Sequence, residues 1–145
     1  MHHIVYTSTA VQPITETDLE EILTSCREHN QQSQVTGLLL YSEEASGFIQ
    51  VLEGEKETLR RIYLRIERDC RHRNLTKLAD GPSQNRNFSS WLMAFKRVNS
   101  STFAQLAGYI DPQSPEFARI MTNTSDDLIR QLMEVFALEE PAKVY

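Results

Sequence analysis

Val35-Thr36-Gly37-Leu38-Leu39-Leu40-Tyr41 and Phe48-Ile49-Gln50-Val51-Leu52-Glu53, joined by the stretch Ser42 to Gly47, decide the fold. Both runs are short, apolar and bounded by turn residues, so they read as the two strands of a hairpin that Gly54 ends. Upstream, Thr15 to Asp18 or Thr17 to Glu20 offers a capping box just after Pro13. Leu19, Ile22, Leu23 and Cys26 then recur at helical spacing, which predicts a first helix to about Asn30. Downstream, Leu59, Ile62, Tyr63, Ile66 and Cys70 mark a second amphipathic helix. His3 to Ser8 opens the chain as a strand by its alternation. Leu75 to Leu78 and Trp91 to Val98 read as two more strands, separated by a polar segment from Asp80 to Asn87. The order is β-α-β-β-α-β-β. Helices placed this way bury their stripes on one face of a mixed sheet, which gives an α+β sandwich of the ferredoxin-like kind.

After Ser100 the pattern changes. Phe103, Leu106, Ala107 and Ile110 suggest a short helix, Pro112 and Pro115 punctuate, and Leu128, Ile129, Leu132, Met133 and Phe136 form a strong helical stripe. The expected organisation is a unit over 1–100 and a helical extension over 101–145 that packs on the sheet. A chain of 145 residues with 40% hydrophobic and 24% charged residues is ordinary for one globular domain. A net charge of −5 with no run of Lys or Arg gives nucleic acid or an anionic membrane no electrostatic support. No apolar stretch approaches the ~20 residues that span a bilayer, and the N-terminus lacks the pattern of a secretory signal. Cys26 and Cys70 form no CxxC and no metal-ligand spacing; each falls on the apolar side of a predicted helix, as a small core residue in a reducing cytoplasm would.

Gln50 interrupts an otherwise apolar strand. Leaving its amide buried and unpaired costs roughly 1–3 kcal/mol, so it calls for a specific polar partner. In a ferredoxin-like order the first and third strands are central neighbours, which lets Tyr6 meet Gln50. Asn30 lies near the apolar stripe of the first helix, seven residues after Leu23, and faces the sheet. Arg65 and Asp69 read as an i, i+4 pair on the second helix. A cavity edged by Tyr6, Asn30, Gln50 and Arg65 suits a flat heteroaromatic with a polar edge, because one amide can both donate and accept there.

The ordered segments Tyr6-Thr7-Ser8, His29-Asn30, Thr36-Gly37-Leu38-Leu39, Gln50-Val51-Leu52-Glu53-Gly54, Asp69-Cys70-Arg71-His72 and Arg86-Asn87-Phe88-Ser89-Ser90-Trp91-Leu92-Met93 resemble the BLUF domains, sensors of blue light using flavin. The resemblance covers roughly residues 2 to 100. The hairpin turn is slightly longer than usual, and Ser83 stands where an aliphatic residue commonly follows the proline. The resemblance implies a flavin held without a covalent bond between the two helices, FAD in the first place, with FMN or riboflavin carrying the same ring. Asn30 would hold the C4 carbonyl and N3 edge, and Arg71 or Arg65 would face the C2 carbonyl. His29, Asp69 and His72 would lie around the ring. Tyr6 would give the excited flavin an electron and a proton, with Gln50 between its hydroxyl and N5. Trp91 and Met93 would be the alternating neighbours of Gln50 on the last strand, on the face that Leu92 and Ala94 do not share.

A photoreceptor of this kind switches and turns over no substrate. Its signal would leave through protein contacts, in a homo-oligomer and toward a downstream signalling protein, with no nucleic acid and no membrane involved. A thiol-adduct photosensor would need a cysteine held beside the flavin, and neither Cys26 nor Cys70 stands in such a motif. Two other classes compete. One is a small ferredoxin-like enzyme such as an acyl-phosphate hydrolase, using Arg65 or Arg71 with Asn30 on an anion. It would want a glycine-rich loop opening the first helix, and residues 9–18 contain no glycine. The other is a flavin-free interaction domain.

Overall fold

The computed structural model describes residues 1–88, 92–107, Ile129, Arg130, Leu132, Lys143 and Val144. The elements in chain order are β1 (His2–Ala10), α1 (Glu16–Ser33), β2 (Thr36–Ser42), β3 (Gly47–Gly54), α2 (Lys56–Glu67), β4 (His72–Pro82), β5 (Ala94–Arg97), α3 (Ser100–Ala107) and β6 (Lys143–Val144). They build one sheet in the order β4-β1-β3-β2-β5-β6. The first four strands are antiparallel neighbours in the ferredoxin-like arrangement, and β5 joins β2 in parallel. The expected α+β sandwich is the observed fold.

Of the two capping boxes offered by the sequence, Thr15 is used. Its hydroxyl accepts from the Asp18 amide, and the Asp18 carboxylate accepts from the Thr15 amide, each at 3.1 Å. The helix continues past Asn30 to Ser33, where Gln34 closes it in the left-handed conformation at φ 56°.

Three boundaries differ from the sequence expectation. α2 ends at Glu67, so Cys70 is exposed rather than part of the core, and Arg65 does not pair with Asp69. The Asp69 carboxylate causes this. It accepts from the Arg71 amide at 3.0 Å in an Asx turn, which competes with continued helix. β4 runs the length of β1 rather than over four residues, with register shifts between Val5 and Tyr6 and between Thr7 and Thr9. Those irregularities, together with its place at the sheet edge, blur the alternation that would reveal it. β5 is shorter than Trp91 to Val98; Leu92 and Met93 precede it as bends, and Trp91 lies outside the described residues.

Strand alternation sorts the core onto two faces. Ile4, Tyr6, Leu39, Phe48, Leu52, Met93 and Phe95 pack with Leu19 and Leu23 of α1 and with Leu59 and Tyr63 of α2. Val5, Leu38, Leu40, Ile49, Val51, Ala94 and Val98 pack on the other face with Phe88, Ile129 and Leu132. Ile129 and Leu132 thus share a core cluster with Ala94, on the side away from the two helices. Of the remaining stripe, Leu128, Met133 and Phe136 lie outside the described residues.

Candidate functional site

A cleft opens between α1, α2 and the sheet. Its floor is Leu39, Phe48 and Leu52, its walls are Ile22, Ile62 and Ile66, and its polar positions include Tyr6, Asn30 and Gln50. Such a pocket, apolar with a few convergent polar groups, orients a ligand through those groups.

The sheet register sets Tyr6 directly opposite Gln50 on neighbouring strands. The Tyr6 hydroxyl donates to Gln50 Oε1, and Gln50 Nε2 donates to Met93 Sδ at 3.6 Å. A thioether can only accept, so the amide presents its NH2 to Met93 and its oxygen to the phenol. Both Tyr6 and Gln50 are buried. Burial pushes the Tyr6 phenol well above its ordinary value, with Cys26, Tyr63 and Asp69 adding to the shift. The phenol is therefore neutral, and losing an electron from it entails losing its proton.

Asn30 is buried near the end of α1 and donates through Nδ2 to the Leu92 carbonyl at 2.5 Å. The other donor and the amide oxygen have no protein partner among the described residues. At the cleft rim the Arg71 guanidinium grips the Asp69 carboxylate, the shortest contact being 2.6 Å. That grip holds the Asp69 carboxyl below its usual range, so the pair stays ionised. Arg65 lines the cleft, exposed and with no ion-pair partner among the described residues.

His29 also lines the cleft and uses Nδ1 on the Ser25 carbonyl, one turn back, at 2.8 Å. His72 closes the far end. Its Nε2–H donates to the Ile66 carbonyl at 2.7 Å, so in the neutral ring Nδ1 accepts from the Ser8 hydroxyl at 2.8 Å. Every polar residue singled out from the sequence, apart from the undescribed Trp91, thus lies on the cleft or, for Met93, touches a residue that does.

Cys26 was not among those residues, yet it lines the cleft. Burial pushes its thiol up, and the nearby Gln50 side chain pulls the other way. Its place one helical turn before Asn30 is the signal that could have found it. The Leu92 carbonyl had no such signal, because a backbone group is not legible in residue types.

The model of the family BLUF, "Sensors of blue-light using FAD", matches residues 1–94. The chain belongs to that family. Among curated proteins it is similar to the photoactivated adenylate cyclase subunit beta of Euglena gracilis, 30% identical over 131 residues, which cover 89% of this chain and 15% of that protein. The chain thus spans about a seventh of the length of that relative. Among solved structures it is similar to the BlsA ground state, with TM-score 0.72, 25% identity and coverage of 96% of this chain and 89% of the other. The dark-state structure of the BLUF protein BlrB shares the fold, with TM-score 0.66 and 24% identity over 92% of this chain and 96% of that one.

BLUF domains bind a flavin, and the cleft fits that ring. The apolar floor and walls match its faces, and the unpartnered oxygen and donor of Asn30 match a ring edge that offers a carbonyl beside an N–H. No described helix is long and apolar enough to cross a membrane.

Proposed function

We propose that this BLUF chain is a cytoplasmic blue-light switch in which Tyr6 and Gln50 are the moving parts. The observation that carries the reading is the Tyr6–Gln50–Met93 chain of hydrogen bonds, whose Tyr6 and Gln50 line the cleft between the two helices. When bound, the flavin supplies light absorption and an electron acceptor. Tyr6 gives up an electron and, because its phenol is neutral, the hydroxyl proton as well. Gln50 relays the change: its amide carries donor and acceptor on one pivot, so rotation or tautomerisation exchanges which of them faces Tyr6, Met93 and the ring. Asn30 holds the C4 carbonyl and N3 edge. Arg71 or Arg65 faces the C2 carbonyl, and His29, Asp69 and His72 border the ring. Trp91 follows Gln50 together with Met93. FAD is the proposed flavin, which identification of the cofactor released on denaturation would decide against FMN or riboflavin.

The chain turns over no substrate in this reading, and its output passes through protein contacts made by residues 101–145. A homo-oligomer and a downstream protein are the proposed recipients. Hydrogen exchange over those residues should differ between dark and illuminated protein; identical protection would remove this part of the proposal. The switch itself is tested by colour. Blue light should move the visible band of the flavin-loaded protein slightly to the red, and darkness should restore it. A spectrum unchanged by illumination contradicts the reading.

A further inference from the structure

Glu53 ends the apolar run of β3 and, by alternation, faces away from Gln50. It is fully buried. Its carboxylate accepts from the Asn87 amide at 2.7 Å, from the Phe88 amide at 2.7 Å and from the Thr36 hydroxyl at 3.2 Å. The Arg86 guanidinium closes the arrangement, donating to the Thr36 hydroxyl at 2.8 Å and to the Glu53 carbonyl at 3.4 Å. Two consecutive amides on one buried carboxylate are charge-assisted bonds, and releasing them would strand a charge in the core. Arg86–Phe88 is therefore fixed to the far face of the β2–β3 pair.

Five residues after Phe88 comes Met93, on the opposite face. There Asn30 holds the Leu92 carbonyl, and Gln50 donates to the Met93 sulfur. Gly37, next to Thr36, lets β2 approach β3 closely, since a Cβ there would collide with the Val51 carbonyl oxygen, and it borders the Met93 methyl. Glu53 and Gln50, three residues apart on one strand, thus hold Phe88 and Met93, five residues apart in sequence, from opposite faces.

We infer that Glu53 is a positioning residue for the Gln50 switch: by fixing Asn87 and Phe88 it sets where Met93 meets the Gln50 amide. The inference rests on the reading of Gln50 given above. In that reading the contact of Met93 with Gln50 belongs to the dark state, so a Met93 no longer held in place makes the return to it slower.

The test uses dark-adapted, flavin-loaded E53Q, in which an NH2 group meets backbone N–H donors. The amides of Asn87 and Phe88 should exchange at least tenfold faster than in wild type. The methyl NMR signal of Met93 should move, and dark recovery should slow at least threefold while the red-shifted band keeps its position. Thr36→Val keeps both amide bonds and should act in the same direction more weakly; it carries the test if E53Q does not fold. Unchanged amide exchange overturns the inference. So does faster exchange with the Met93 signal unmoved or recovery within twofold of wild type. Should wild type itself show no red shift, the reading of Gln50 fails, while the dark exchange and methyl measurements still decide whether Glu53 positions Met93.

Discussion

On β3, Gln50 and Leu52 look toward the two helices, whereas Ile49, Val51 and Glu53 look toward Phe88, Ile129 and Leu132. The residues alternate along one strand, yet the two faces are finished differently. On the helical face the packing stops short and leaves a cleft, with amide and phenol groups on its wall whose hydrogen bonds can be exchanged. On the far face the packing is closed, and its buried carboxylate has three donors in fixed positions. The difference teaches where change is permitted. A rearrangement at Gln50 happens beside unfilled space, and the far face supplies the fixed frame against which that rearrangement registers.

The comparison breaks most visibly if the closed face is opened. Leu132 is fully buried there, and Leu132→Ala should cost about 2–5 kcal/mol of unfolding free energy. Denaturant unfolding of the dark protein measures this, and the red-shifted band should still form in the variant that remains folded. A loss below about 0.5 kcal/mol would mean that Leu132 is not core.

On the cleft side the expected effect is on binding rather than on stability. Asn30→Ala removes a buried amide that also holds the Leu92 carbonyl. Flavin affinity should fall roughly tenfold to a hundredfold, in line with about 1–3 kcal/mol for such a contact. Titration of flavin into the apoprotein reads it, and unaltered affinity would remove Asn30 from the ring edge.

The smallest expected effect is a null one that sharpens the contrast. The folded Tyr6 phenol is raised above the ~10 of the unfolded chain, so the native state keeps a proton that the unfolded chain releases. Its contribution to stability is complete below about pH 10 and declines as the pH rises toward the folded value. The yield of the red-shifted state should accordingly be flat from about pH 7 to about pH 10. A yield already halved at about pH 10, where an exposed phenol is half ionised, would mean that the phenol is not shielded by burial.

How much of this was legible in the sequence depended on whether the deciding contact was periodic. Tyr6 and Gln50 could be paired in advance because β-α-β-β-α-β order makes the first and third strands neighbours, and the register sets them opposite each other. Asn30 was legible from helical spacing alone. The end of α2 was not, because one Asx turn at Asp69 overrides an apolar pattern that continues to Cys70. The length of β4 was hidden by register shifts, and the hold of Glu53 on Asn87 and Phe88 joins residues more than thirty apart through backbone amides, which leave no mark in residue type.

Light-minus-dark absorption of the flavin-loaded Tyr6→Phe variant beside wild type tests the central claim most directly. The substitution keeps the ring in its cavity and removes only the hydroxyl that donates to Gln50 Oε1. Wild type should show a reversible red shift, and the variant, with flavin still bound, should show none. A Tyr6→Phe protein that forms the same red-shifted state would contradict the account.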